Sequence, residues 1–292
     1  MRNTLLNIRS VIQNKLLKNV RSGDLFGPRS IDLAAERRLS FYYRDCIQAG
    51  TGLPGLDQTG YRVFSQHDED GILQFLLSVL GEGDRRCVEI GIGDGTECNT
   101  THLLVNHGWH GLMLDMSAAQ VARAKRWFAS IKDTRYFTPE IRSAQVCADN
   151  VNTLLTDCEF FADIDLLSID IDSVDYWVLS ALEARPRILV LEVRGLFPAD
   201  RSLTIPPDAT PQKIHREFYG ASLQAFATLA DVKGYRLVGV NKHCSNAFFV
   251  RRDLGVDVLP SAEVDACLTK PRARRLQKTL WPELQNLPWA VV

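Results

Sequence analysis

The chain has 292 residues, 46% hydrophobic and 24% charged, which provides for a sizeable core and excludes a disordered or fibrous class. A formal net charge of −1 gives no global attraction to nucleic acid, and none is expected as a partner. Seven cysteines form no C-x-x-C pair, no apolar run is long enough to span a bilayer, and no signal-peptide segment stands at the start. The expected setting is therefore reducing and cytoplasmic.

Residues 1–22 place Leu5, Ile8, Ile12, Leu16 and Val20 at spacings of three and four, with five basic residues and no acid in the first 23. That pattern predicts an amphipathic helix. It would dock on the body, on a second subunit of a homo-oligomer, or on a membrane surface at its inner face. A linker, a second helix over 31–49 and a loop over 50–60 complete an N-terminal helical extension, residues 1–60. Ser65 and Asp68 fit a cap for a helix whose buried face is Ile72, Leu73, Leu76, Leu77 and Leu80. Glu69 and Asp70 are expected there because acids suit the positive end of a helix dipole.

The central stretch is residues 87–99, CVEIGIGDGTECN. An apolar strand breaks into Gly91, Gly93 and Gly95, and a helix-compatible segment follows from Asn99. A strand, a glycine turn and a helix start bring backbone amides close to a ligand. Strands are then expected at 111–115, 143–148, 164–172 and 188–193, with helices at 118–131, 151–156 and 176–184. Five such units imply a parallel sheet covered by helices on both faces. Residues 195–218 carry four prolines and no period, which suits a lid or binding loop. A helix over 221–232 and two strands, 236–242 and 247–251, follow. Their short connection permits only an antiparallel hairpin. A proline-punctuated tail, residues 256–292, is expected to pack on a main domain of residues 61–255.

A dinucleotide-binding turn would read G-x-G-x-x-G, but Thr96 stands where its third glycine belongs. The closing hairpin is also foreign to that pattern. The glycine stretch, Asp115 at the end of the second strand and the hairpin together resemble the class I methyltransferases that use S-adenosylmethionine. The resemblance implies a Rossmann-like, seven-stranded, mostly parallel sheet with an antiparallel last strand. It also implies cofactor contacts from Glu89, Gly91, Gly93, Gly95, Asn99, Asp115 for the ribose, and Asp149 for the adenine.

A narrower likeness covers Ser65-Gln66, Glu69 to Gly71, Val88 to Gly91, Gly108-Trp109, Asp165 to Asp172, Gly220 to Leu223, Gly234 to Gly239 and Asn246 to Val250. These residues resemble a bacterial FkbM-related group assigned to O-methylation in glycan, glycolipid or secondary-metabolite biosynthesis. The likeness adds Gln66 and Asp170 to the candidate cofactor contacts, and its acceptor would be a small molecule or glycan. Ser173 and Arg194 depart from the group's usual glycine and asparagine.

Ligands of open α/β sheets bind beyond the carboxyl ends of the strands, where Asp170, Asp172 and Glu192 are expected to gather. On a single strand Asp170 and Asp172 would share a face. Crowded carboxylates raise one another's pKa, which suits a general base for a hydroxyl nucleophile. His215, beside the lid, is a further candidate base. In a bland alternative Asp172 caps a helix and Glu192 pairs with Arg194. The same three acids resemble a divalent-metal set suited to Mg²⁺, although Arg194 would repel a cation. No metal is expected there. His102, His107 and His110 are expected on the surface. The rival classes are a non-catalytic Rossmann-like scaffold and a nicotinamide oxidoreductase.

Overall fold

The computed structural model describes residues 32–160, 162–209 and 214–292. The amphipathic segment expected over 1–22 lies outside the described residues, as does part of the expected lid. Seven strands form one sheet: β1 (Arg86–Ile90), β2 (His110–Asp115), β3 (Glu140–Ser143), β4 (Leu166–Ile169), β5 (Ile188–Glu192), β7 (Tyr235–Val240) and β8 (Asn246–Arg251). Their order is β3-β2-β1-β4-β5-β8-β7. All neighbouring pairs are parallel except those of β8, which runs antiparallel to both β5 and β7. The α/β architecture with an antiparallel last strand is therefore the one expected.

Alternation along the strands builds two cores. Val88, Ile90, Leu112, Leu114, Leu189 and Leu191 face one cluster, closed by α5 (Val151–Asp157), α6 (Asp175–Ala181) and α7 (Leu223–Val232). Cys87, Met113, Leu166, Ile188 and Val190 face the other. That face is covered by α2 (Glu69–Leu80), α3 (Thr101–Asn106) and α4 (Ala118–Ser130), with Tyr43 of α1 (Leu33–Gln48) edge-on to Phe75. The central strands β1, β4 and β5 thus bury both faces, as near-continuous apolar runs in parallel sheets require. Among the described residues no helix is long and apolar enough to cross a membrane.

Three local expectations are corrected. The third strand is the edge segment Glu140–Ser143 rather than 143–148. Residues beyond it leave the ladder after Ala144 N–H donates to Asp115 O. The fourth strand ends at Ile169, so Asp170 and Asp172 are not two positions of one strand. Asp172 has φ +51°, in the left-handed region. Ser65 does not cap α2 in the ordinary way. Asp70 Oδ2 instead accepts the Val63, Phe64 and Ser65 N–H groups and the Ser65 hydroxyl, all within 2.8 Å. Glu69 accepts from His67 N–H and from both Asn241 and Asn246 side-chain amides. Both acids are buried and specifically bonded, more than a helix dipole demands.

The C-terminal segment packs on the body. Strand β9 (Ala290–Val291) pairs antiparallel with β6 (Leu203–Thr204), inside the expected lid. Trp289 packs on Phe197 and Phe218, and Trp281 on Phe197. Ahead of β9 along the chain run α8 (Val264–Cys267), α9 (Pro271–Thr279) and α10 (Trp281–Leu284).

Candidate active site

A cavity of about 920 Å³ opens at the carboxyl ends of β1, β2, β3 and β4. Its floor is the glycine turn from Ile90 to Asp94. One wall is Leu114 to Met116, a second is Ala144 to Cys147, and a third is Asp170 to Val174. Pro207 and Ala209 of the 195–220 segment reach its mouth.

The turn has two distinct glycine requirements. Gly91 has φ +95°, and a Cβ there would lie 1.5 Å from Asp170 O, so β1 and β4 could not stay this close. Gly93 has φ +53°, and a Cβ there would meet nothing within 4 Å. The Gly93 position is a cradle open to the cavity. Gly93 N–H donates to Asp115 Oδ2 at 2.8 Å, and Ser117 N–H to Asp115 Oδ1 at 2.7 Å. These bonds fix the carboxylate on the cavity rim while leaving each oxygen a second acceptor direction. Asp94 Oδ1 accepts from the Thr96 hydroxyl at 2.6 Å, closing the turn locally.

Glu89 and Asn99 lie beneath the turn and do not line the cavity. Glu89 is buried at the start of α3, accepting from Asn99 N–H, Thr100 N–H and the Thr100 hydroxyl. Burial pushes its carboxyl upward, partly offset by the Thr100 bonds. Asn99 donates its amide to Ser168 on β4. Both residues position the turn. Gln66 and Asp149 are exposed and outside the cavity lining. Gln145 to Cys147 form the wall near which Asp149 was expected.

Asp170, Asp172 and Glu192 do converge: one oxygen of each lies within 4.8 Å of the others. What shapes their turn is Asp175, which the sequence reading missed. Its buried carboxylate accepts the Ile171 and Ser173 N–H groups at 2.9 and 3.0 Å. A D-x-D-x-x-D spacing at a strand end was the available signal. Asp172 therefore caps nothing, because α6 starts at Asp175. Burial, then Asp175 and Asp172, push the Asp170 carboxyl up to about 8. Burial and Asp170 push Glu192 well above the usual range. At neutral pH both shifts favour the protonated carboxyls.

Arg194 does not pair with Glu192. It is buried, donates to Glu217 Oε2 at 2.8 Å, and stacks over the Tyr219 ring at 3.7 Å. Glu217 pairs with this charge, yet Arg194 still acts on the trio, favouring the ionised forms of Asp172 and Glu192. An oxygen-rich trio of this kind suits a hard divalent cation by its ligand atoms, but the Arg194 charge acting on Asp172 and Glu192 opposes one. His215 lies outside the cavity lining and accepts the Glu217 N–H on Nδ1. His102 is corrected from surface to core: it is buried against Glu36.

No family model matches the chain, and no curated protein matches it. Among solved structures it is similar to TnmH at 18% identity and TM-score 0.39, over 82% of this chain and 61% of TnmH. It is similar to the N-terminal domain of EvdMO1 with SAH bound at 13% identity and TM-score 0.42, over 73% of this chain and 94% of that one. A SAM-dependent methyltransferase from Methanosarcina mazei is similar at 14% identity and TM-score 0.39, over 60% of this chain and 94% of that one. The chain thus spans about three-fifths of TnmH. At such scores these likenesses carry no weight for function, which rests on the site's own geometry.

Proposed function

We propose that this chain is an S-adenosylmethionine-dependent methyltransferase of the FkbM-related kind, transferring the methyl group to a hydroxyl of a glycan, glycolipid or secondary metabolite. The observation that carries the reading is the Gly93 cradle hydrogen-bonded to Asp115 on the rim of the cavity, with an acid cluster on the adjoining wall. The residues fit the cofactor: a carboxylate with free acceptor directions suits two ribose hydroxyls, and a Cβ-free position admits a flat group against the main chain. When bound, the cofactor supplies an electrophilic methyl on a sulfonium.

The chain's own residues do the rest. Once ionised, the Asp170–Glu192 pair provides negative potential suited to a cationic donor. The same pair accepts the proton of an acceptor hydroxyl within hydrogen-bond reach. Pro207 and Ala209 narrow the mouth, and alignment of oxygen, methyl and sulfur inside it lowers the barrier by orientation.

Isothermal titration with S-adenosylmethionine and S-adenosylhomocysteine tests the reading. Heat of one-to-one binding is expected, and Asp115→Ala should weaken it by roughly 10–100-fold, the loss of one or two charge-assisted hydrogen bonds. No heat from the folded chain would favour a scaffold, and binding of NAD instead would favour an oxidoreductase.

A further inference from the structure

A second cluster, away from the cavity, joins the N-terminal part of the chain to the first βα unit. Glu36 on α1, His102 on α3 and His107 at the end of α3 meet at one point. Glu36 Oε1 lies 3.0 Å from His102 Nε2 and 3.2 Å from His107 Nε2, and the two nitrogens are 3.4 Å apart. The imidazole rings are nearly perpendicular, at 88°. Two rings therefore aim equivalent nitrogens, and a carboxylate one oxygen, at a common centre.

The two N···O separations are also those of hydrogen bonds, but two ring nitrogens 3.4 Å apart on one oxygen suit a shared metal. In a tetrahedral zinc site with bonds of about 2.0–2.1 Å, neighbouring ligand atoms stand roughly 3.3 Å apart. A cation equidistant from the three atoms would lie just off their plane, leaving a fourth position for water. Both ring Nε2 atoms converge on the single oxygen Glu36 Oε1. Asn106 Nδ2 lies 2.8 Å from His102 Nδ1. A half-turn of that amide would present its oxygen instead, giving the Nδ1–H acceptor typical of a metal-bound histidine.

We infer that Glu36, His102 and His107 form a binding site for a divalent transition metal, with zinc the best match. Two imidazoles with one carboxylate favour zinc over magnesium, which prefers an all-oxygen shell. The site's role is structural. It clamps α1 onto α3, whose preceding residues Asn99 and Thr100 anchor the glycine turn through Glu89. His107, with 28% of its side chain exposed, gives the ion a way in.

The test uses the full chain without a polyhistidine tag, stripped with chelator and titrated with Zn²⁺ by calorimetry and with Co²⁺ by visible absorption. One equivalent of each is expected, with the intense absorption of four-coordinate cobalt and a Zn²⁺-dependent rise in Tm. His107→Ala, a change at a partly exposed helix end, should keep the fold by circular dichroism. Its affinity should fall by more than the roughly 10–100-fold typical of outer-shell changes. Asp170→Asn should bind Zn²⁺ as the wild type does, separating this site from the acid trio and from the methyltransfer reading. Absence of Zn²⁺ and Co²⁺ uptake by the wild type, or unchanged uptake by His107→Ala, would overturn the inference.

Discussion

Asp170 shows how a single carboxylate acquires its chemistry from its surroundings. It lies one residue beyond β4, beneath Gly91 and beside Asp172, Asp175 and Glu192. Burial, then the Asp175 and Asp172 charges, lift its pKa from 3.8 to about 8, against a lowering hydrogen bond with Glu192. If the anion is the base, turnover should climb as pH rises through about 8 and then level off, a limb that Asp170→Asn removes from the pH–rate profile. The sign for stability is opposite. The native state holds this proton more tightly than the unfolded chain, so its contribution is complete below about 4 and is lost as pH rises through about 8. Asp170→Asn should flatten that decline when denaturation is followed across pH. The motif around Asp170 was legible as a run of acids at a strand end. The positive φ at Asp172 and the role of Asp175 were not, because both depend on how the chain turns under Gly91.

At the scale of elements, the first turn of α2 is held by an acid that collects main-chain donors. Asp70 accepts three consecutive N–H groups of the preceding loop, none of which has a place in the sheet. Asp70→Ala should cost about 3 kcal/mol or more in urea denaturation, since each orphaned buried donor carries a desolvation penalty of about 1–3 kcal/mol. Ser65→Ala removes one hydroxyl bond and should cost about 1 kcal/mol. Most elements were readable from periodicity, since contiguous apolar runs such as Leu166-Leu167 report their own burial. The third strand was not. Its edge sequence, EIRS, has a single buried residue, whereas the following apolar Val146 points at the cavity wall. An apolar run records burial but does not say whether a ladder or a cavity accepts it.

Across the whole molecule, the C-terminal tail and the 195–220 segment act together. Strand β9 hydrogen-bonds to β6, and Trp289 sits against Phe197 and Phe218, bridging the two ends of that segment. Trp177 Nε1 donates to Ile205 O from the opposite side. Trp289→Ala should therefore raise the rate of proteolytic cleavage within 203–220 more than it lowers the global Tm, because the seam it supports lies outside both main cores. Limited proteolysis beside a thermal melt reads the difference.

The amino-acid sequence by itself determined the α/β architecture, the glycine turn, the acid at the end of β2 and the antiparallel hairpin. Each is encoded in residues close enough along the chain for local sterics and burial to dictate the form. Only the tertiary structure decided which acids meet, that Arg194 turns to Glu217, and that Glu36 finds two histidines 66 and 71 positions away. Those partners are chosen by helices docking across the sheet, and nothing in the local spacing of a chain records which buried faces will come together.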